Sequence, residues 1–252
     1  MDFFVRQNSI VRKIWGKADT ILFIFAGSAA EFALNKAVDW LYYTGKLPAD
    51  PLGRLFSTVE YARQIVFSEK EAAHKAIDKI NTIHSALEKG RGYSIPDWAY
   101  RDVLFMLIDY SIRSFELLDR KLTKAEKEEV FDVFYRVGER MNLKCLPTAF
   151  DDWLLMREQH LHADLIKSGY TIDLYKQYKK HLGLIRFAIL IEGQKLVVPP
   201  FALQLLELKK KSLLKPVVAI YKLCRKINLD WILKEMILPP KYKTQIKALD
   251  IG

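Results

Sequence analysis

The sequence has little cysteine, no long apolar run and no signal-peptide pattern. Its two cysteines, Cys145 and Cys224, lie far apart and outside any metal-binding spacing, so the sequence predicts neither a disulfide framework nor a zinc site. The apolar run from Thr20 to Ala30 ends at Glu31 and is too short to span a bilayer. We therefore predict a buried helix there, with a shallow membrane helix as the less favoured interpretation. The predicted location is cytoplasmic or peripheral to a membrane.

Motifs of common enzymes are also missing. The sequence has no G-x-S-x-G nucleophile elbow, no phosphate-binding loop, no dinucleotide-binding glycine fingerprint and no H-E-x-x-H zinc helix. The nearest approach to a metal pair is His160-x-His162, but two such side chains on a helix point about 200° apart, which argues against a shared ion. Asp151 and Asp152 are typical of a helix start rather than of acid–base catalysis.

Basic residues are in excess, mainly near the C-terminus. The formal net charge is +10, and residues 205–252 hold eleven basic and four acidic residues. In these basic C-terminal helices, apolar residues alternate with lysines, a pattern that suits an anionic membrane surface. A solvated helical face is the simpler interpretation. Nucleic-acid binding ranks last, because no helix-turn-helix pattern and no aromatic platform motif accompanies the charge.

Apolar residues recur at three- and four-residue intervals along most of the chain, whereas strand patterns are few. Half of the residues are hydrophobic, which is enough for a sizeable core. We therefore predict an all-α protein, a single domain of about nine helices without internal repeats. Capping patterns, glycines and prolines place the main predicted helices at Ile21–Tyr43, Leu52–Val66, Ser68–Gly90, Trp98–Leu118, Thr123–Met141, from Thr148 or Asp151 onwards, and Tyr170–Phe187.

Three polar residues on two neighbouring predicted helices form the candidate site. Asp50 and Pro51 suit the start of the first helix. Arg54 then precedes Thr58 by one helical turn, and His84 lies on or beside the buried face of the second helix. This set suits a haem, with the histidine as axial ligand, the arginine on a propionate and the threonine on the distal side. The simpler interpretation is a surface arginine, a helix-capping threonine and a structural histidine.

One carboxylate is predicted to lie in the core. Asp109 stands among apolar residues in the middle of the predicted helix Trp98–Leu118, and an unpaired buried charge there is costly. Arg113 follows it by one turn and is the predicted partner, in a structural ion pair.

Several segments, taken in order, resemble a known family. The pattern D-P-x-x-R-x-x-x-T occupies residues 50–58, and a helix ending in a histidine follows, INTIHSAL with His84. The other segments that carry the resemblance are ILFIFAGSAAEFAL, the Gly92-Tyr93-Ser94 turn, LIDYSIRSFELL, KLTKAEKEEVFDVFYRVGERMNL, LPTAFDDW and ILPPKY. From about Ala18 to Leu249 the chain thereby resembles the catalytic domain shared by the ER-bound oxygenase MpaB and the rubber oxygenases (latex clearing proteins). The domain would occupy residues 18–252, after an N-terminal segment of residues 1–17.

The resemblance implies a globin-like all-α fold and a b-type haem. It makes His84 the axial ligand of the iron, and it assigns Arg54 and Thr58 to the haem pocket and to catalysis. The implied function is that of a haem-dependent oxygenase, an oxidoreductase that uses dioxygen on an apolar, isoprenoid or lipid-like substrate. Oxidative cleavage of a carbon–carbon double bond is the implied reaction.

The sequence departs from the family pattern at three points, one of which is a shorter loop between His84 and Tyr93. Many members carry another histidine in the helix that follows the candidate ligand, and the nearest position here is Leu104. A general base has no clear match, although Glu31 and Asp39 lie in the right region. The reaction is therefore the open point. A non-catalytic helical protein of the same fold, bound to a membrane surface or to lipid, is the alternative.

Overall fold

A computed structural model describes residues 2–43, 45, 49–209 and 211–226, apart from the side chains of residues 52, 54–56 and 223–226. Within these residues the chain forms eleven helices and two isolated β-bridges but no β-strand, which confirms the all-α prediction. The helices are α1 (Ile10–Trp15), α2 (Ala18–Leu34), α3 (Val38–Tyr43), α4 (Pro51–Phe67), α5 (Lys70–Arg91), α6 (Asp97–Leu118), α7 (Lys124–Arg140), α8 (Phe150–Asp164), α9 (Gly169–Val197), α10 (Pro200–Leu205) and α11 (Leu214–Lys226).

Two predicted helix starts are confirmed. The Asp50 side chain accepts a hydrogen bond from the Gly53 backbone N–H at 3.0 Å, with Pro51 in the first turn of α4. At α7, Thr123 and Glu126 form the predicted capping box, each side chain bonded to the other residue's backbone N–H. Both caps satisfy amide groups that the first turn of a helix leaves without partners.

The predicted helix Ile21–Tyr43 is wrong as a single element. α2 ends at Leu34, and Asn35 has an extended backbone before α3 begins. The Asn35 side-chain oxygen accepts a hydrogen bond from the Ala37 backbone N–H at 2.8 Å. Asn35 also forms a β-bridge with Leu165. A short polar side chain that binds nearby backbone competes with helical hydrogen bonds, and this explains the break.

Two other predicted starts are wrong. Ser68 and Glu71 form no capping box, because α5 begins after Glu69, and the Lys70 backbone N–H instead donates to the Asp2 carbonyl at 2.8 Å. α8 begins after Ala149 rather than at Thr148 or Asp151. In the first case, pairing with the N-terminal residues overrides the local signal.

The helix predicted at Tyr170–Phe187 is longer than expected. α9 extends to Val197, but its path is interrupted at Gly183, whose φ of 74° and ψ of 173° are not helical. A glycine adopts positive φ without the steric cost that a Cβ atom imposes. α9 therefore consists of two helical arms that meet at an exposed glycine.

The core is built around α2, which packs against α6 and α9. The residues from Thr20 to Ala30 are mostly buried, so the predicted buried helix is confirmed. Small residues allow the close approach: a Cβ atom added at Gly27 would lie 2.3 Å from ring carbons of Tyr110 on α6. None of the described helices is long and apolar enough to cross a membrane.

Candidate functional site

The predicted haem residues lie on α4 and α5. Arg54 belongs to the first turns of α4, and its side chain is outside the described part of the structure. Thr58, one turn later, is half-buried, and so is His84 on α5. The His84 ring lies 5.1 Å, centroid to centroid, from the ring of Tyr100 on α6. The histidine is therefore at the edge of the core, as predicted.

The two helices bring positions 54 and 84 to the same level. α4 and α5 pack together and are joined only by Ser68 and Glu69, so they run antiparallel as a helical hairpin. With a rise of 1.5 Å per residue, positions 54 and 84 lie about 22 Å and about 23 Å from this connection. Position 58 lies about 16 Å from it, one turn nearer.

The end of α5 next to His84 is fixed by polar contacts with its neighbours. Glu88, one turn after the histidine, accepts hydrogen bonds from the Tyr100 hydroxyl at 3.1 Å and from the Ile95 backbone N–H at 2.8 Å. Burial, then the charge of Glu88, raises the pKa of Tyr100. Arg91 in the last turn of α5 pairs with Asp39 at 2.6 Å and lies 4.1 Å from the centroid of the Trp40 ring. These contacts hold the helix that carries the imidazole.

The chemistry of this set fits a haem. An imidazole nitrogen is a common axial ligand of haem iron. Arginine and threonine, the residues at positions 54 and 58, are types that donate hydrogen bonds to carboxylates such as propionates. Leu104, at the position where many family members carry a histidine, is buried and apolar. Of the two carboxylates considered as general bases, Asp39 pairs with Arg91 and Glu31 pairs with Arg157.

A buried ion network lies in the core between α2, α6 and α8. Arg157 donates to both carboxylate oxygens of Glu31, at 2.5 and 2.7 Å, and to Asp109 Oδ2 at 3.1 Å. The Tyr110 hydroxyl donates to Glu31 Oε2 at 2.7 Å. The predicted pair is confirmed, since Arg113 Nε lies 2.6 Å from Asp109 Oδ1. Two guanidinium groups thus balance two carboxylates in a site with little water.

Burial and charge shift two pKa values in this network. Burial alone would lower the pKa of the Arg157 guanidinium. The neighbouring carboxylates Glu31 and Asp109 have the larger effect, so the pKa of Arg157 is raised well above the ordinary value. Burial, then the negative charge of Glu31, raises the pKa of Tyr110. Arg157 therefore stays charged and Tyr110 stays protonated, which is the state the hydrogen bonds require.

A second polar cluster, which the sequence did not predict, joins Asp102 on α6 to His160 and Asp164 on α8. His160 Nδ1 lies 2.5 Å from Asp102 Oδ1 and 3.3 Å from Asp164 Oδ2. His162 is not part of it: its ring lies 4.0 Å from the centroid of the Phe201 ring. The side chains of His160 and His162 therefore contact different neighbours. The available signal was the four-residue spacing of His160 and Asp164 in HLHAD.

The chain matches a known family. A family model described as "ER-bound oxygenase mpaB/B'/Rubber oxygenase, catalytic domain" matches residues 15–207, more than half of the chain. The matched range includes the whole of α2 to α10 and both helices of the candidate site, and it ends before α11. No curated protein and no solved structure matches the chain.

Proposed function

The chain belongs to the mpaB/rubber oxygenase catalytic-domain family, and on that premise we propose that it is a haem-dependent oxygenase that acts with dioxygen on an apolar, isoprenoid or lipid-like substrate. The family is one of oxygenase catalytic domains. The haem, the substrate class and the cleavage of a carbon–carbon double bond are the proposed part. The observation that carries the proposal is the set Arg54, Thr58 and His84, which falls within the matched range on one helical hairpin.

Each of the three residues has a distinct proposed role. His84 would hold the haem iron through an imidazole nitrogen, and Tyr100, whose ring lies 5.1 Å away, restricts the orientation of the imidazole. Arg54, at the same level of the hairpin, would bind a propionate. Thr58, one turn away, would contact the haem. The haem, when bound, supplies an iron that binds and activates dioxygen.

The apolar substrate class is proposed from the family match, whose description includes the rubber oxygenases. Because Glu31 and Asp39 are both held by arginines, the proposal assigns neither of them as a general base.

The test is the visible absorption spectrum of the purified protein after loading with haem. We expect a Soret band for the wild type and its loss or shift in His84→Ala. The matched control is His74→Ala on the same helix, a half-buried histidine whose ring lies 5.9 Å from that of Phe4. This variant should retain the wild-type spectrum. A wild-type protein without a Soret band, or an unchanged band in His84→Ala, would contradict the proposal.

A second candidate function, binding to an anionic membrane surface, is supported by α11 and the residue that precedes it. Leu213, Val217 and Ile220 are 79%, 42% and 59% exposed, and their spacing puts them on one face. An adjacent face of the helix contacts the protein: Val218 is buried, and the Tyr221 hydroxyl donates to Asp19 Oδ2 of α2 at 2.8 Å. Exposed Lys215 lies between Leu213 and Val217 in the sequence. Apolar residues flanked by lysines are typical of helices that lie in a membrane interface.

Vesicle binding distinguishes this candidate. We expect the protein to co-sediment with vesicles that contain phosphatidylserine and much less with pure phosphatidylcholine. The double variant Leu213→Ser/Ile220→Ser should lose binding, whereas Leu155→Ser, which changes an exposed leucine on α8, should not. Equal binding of both variants would exclude α11 as the membrane surface. Vesicle binding without a Soret band would favour a non-catalytic protein of the same fold.

A further inference from the structure

The cluster of Asp102, His160 and Asp164 lies outside the residues proposed for the haem. His160 and Asp164 occupy successive turns of one face of α8, and Asp102 reaches them from α6. One ligand atom from each side chain lies within 4.8 Å of those of the other two. Two carboxylates and an imidazole thus converge on one point from two helices.

The cluster carries more negative charge than its own residues balance. The side chains of Asp102, His160 and Asp164 are only 4%, 13% and 16% exposed. Even a protonated histidine leaves one of the two carboxylates without a matching charge. Among the described residues, Lys36 and Arg101 are near enough to act on Asp164, but both donate to backbone carbonyl groups, and neither forms an ion pair with the cluster. Burial of unmatched charge is costly, so an added cation would stabilise the site.

The three side chains are held in position before any ion binds. Asn35 Nδ2 donates to Asp102 Oδ2 at 2.7 Å, and the other oxygen of that carboxylate faces the imidazole. The Lys36 backbone N–H donates to the Asp164 carbonyl at 2.9 Å and fixes the end of α8. The ring of Phe105 lies 5.2 Å from that of His160. Outer contacts of this kind orient metal ligands in proteins and increase their affinity.

We propose that Asp102, His160 and Asp164 form a binding site for one divalent transition-metal ion of the zinc or manganese class. Two carboxylate oxygens and one imidazole nitrogen are a donor set that these ions accept, with further positions left for water. Ligand atoms about 2.0 Å from a tetrahedral ion lie about 3.3 Å from each other. The distance from His160 Nδ1 to Asp164 Oδ2 is 3.3 Å, and the distance to Asp102 Oδ1 would lengthen from 2.5 Å on binding. The ion would connect α6 to α8.

The test is a titration of the chelator-treated protein with Zn²⁺ by calorimetry and with Co²⁺ by visible absorption. We expect one saturable site per chain, cobalt d–d bands, and a melting temperature that rises with metal concentration. Asp164→Asn should weaken the affinity at least about tenfold. This variant is the principal one because Asp164 is the most exposed of the three ligands. Circular dichroism without metal checks that it is folded.

Two controls make the result specific. His162→Gln removes an exposed histidine two residues from His160 and should leave the affinity unchanged. His84→Ala should also leave it unchanged, which separates this site from the proposed haem ligand. The proposal would be overturned by the absence of saturable binding, by equal affinity in Asp164→Asn, or by an equal loss in His162→Gln. Each of these results is independent of the Soret measurement.

Discussion

At the scale of single residues, Arg157 has the largest electrostatic role in the core. It contacts Glu31 of α2 and Asp109 of α6, and its side chain is only 5% exposed. Removal of one partner from a buried ion network leaves a charge without compensation, which costs more than the pair itself contributes. The stability of the protein therefore depends on this one guanidinium.

Replacement of Arg157 by methionine should lower the free energy of unfolding by about 3–5 kcal/mol, because Glu31 would remain buried and charged. Urea denaturation followed by circular dichroism measures the loss. The control is Arg140→Met, which removes an ion pair with Asp78 in which the two side chains are 43% and 46% exposed. It should cost much less, because an exposed ion pair contributes little to stability. If both variants lost the same free energy of unfolding, burial of the ion pair would not explain the loss.

Glu126 provides a prediction about pH. Hydrogen bonds from Arg120, then from the Thr123 backbone, lower the pKa of Glu126 from 4.5 to about 2. A folded-state pKa below the unfolded value means that ionised Glu126 contributes stability above pH 4.5, and that this is lost as the pH falls toward 2.

The measurement for Glu126 is the melting temperature of Glu126→Gln and of the wild type between pH 7 and pH 2. We expect the variant to be less stable at neutral pH and the difference to shrink as the solution is acidified below pH 4.5. Glu128→Gln, at a carboxylate 49% exposed on the same helix, is the control and should show little difference at any pH. If the difference in melting temperature between Glu126→Gln and the wild type did not change with pH, the lowered pKa of Glu126 would be contradicted.

Pairs of residues show how far the sequence determines the polar sites. Asp109 and Arg113 are four apart on one helix, so spacing alone predicts their contact. Glu31 and Arg157 are 126 positions apart, and the packing of both α2 and α8 against α6 brings them together. The candidate metal site is also only partly predictable. The four-residue spacing indicates that His160 and Asp164 lie close together on α8, but it does not indicate that Asp102 of α6 joins them. Local periodicity identifies neighbours on one helix and cannot identify a partner on another.

At the scale of elements, α2 shows that a small residue in a helix predicts close packing there but does not identify the residue that packs against it. The small residues from Ala26 to Ala30 permit the close approach of a neighbouring helix or ligand. The structure identifies the approaching group as the ring of Tyr110, which lies over Gly27. The ring cannot move away freely, since Tyr110 is fully buried and its hydroxyl donates to Glu31.

Gly27→Ala should destabilise the protein by about 1–2 kcal/mol, because steric overlap outweighs the gain in helix propensity. Thermal unfolding gives the result. Gly90→Ala on α5 is the control: an added Cβ atom there meets only the Tyr43 hydroxyl, at 3.9 Å. This substitution should be neutral or slightly stabilising. Stabilisation by both alanines would mean that Tyr110 shifts without cost.

Some helix ends are set by side-chain contacts within one turn, and others are set by contacts with distant parts of the chain. The caps at Asp50 and Thr123 were predictable because side chain and amide lie within one turn of each other. The start of α5 was not, because the Phe3–Glu69 bridge binds the chain before the helix begins. Arg54, Thr58 and His84 lie on α4 and α5 as predicted, and the two-residue connection sets their level along the hairpin. Their role in haem binding stays a prediction.

At the scale of the whole molecule, the N-terminal residues contribute to the same core as the rest of the chain. Phe4, Ile14 and Trp15 are buried in the main hydrophobic cluster. The Trp15 indole N–H donates to Ser111 Oγ on α6 at 3.1 Å, and Arg136 of α7 donates to the Phe4 carbonyl at 2.8 Å. The predicted domain boundary between residues 17 and 18 remains a prediction. Because of these contacts, removal of residues 1–17 should disturb the core.

A chain that begins at Ala18 should lose cooperative unfolding and bind a hydrophobic dye. Loss of one buried tryptophan costs about 3–5 kcal/mol, a large part of the 5–15 kcal/mol that stabilises a typical domain. The control is full-length Trp15→Phe, which keeps an aromatic ring but loses the hydrogen bond to Ser111, and it should unfold cooperatively at a lower temperature. An unchanged melting temperature in the truncated chain would show that residues 1–17 are a separate segment. Loss of cooperativity would show that the domain begins before α1.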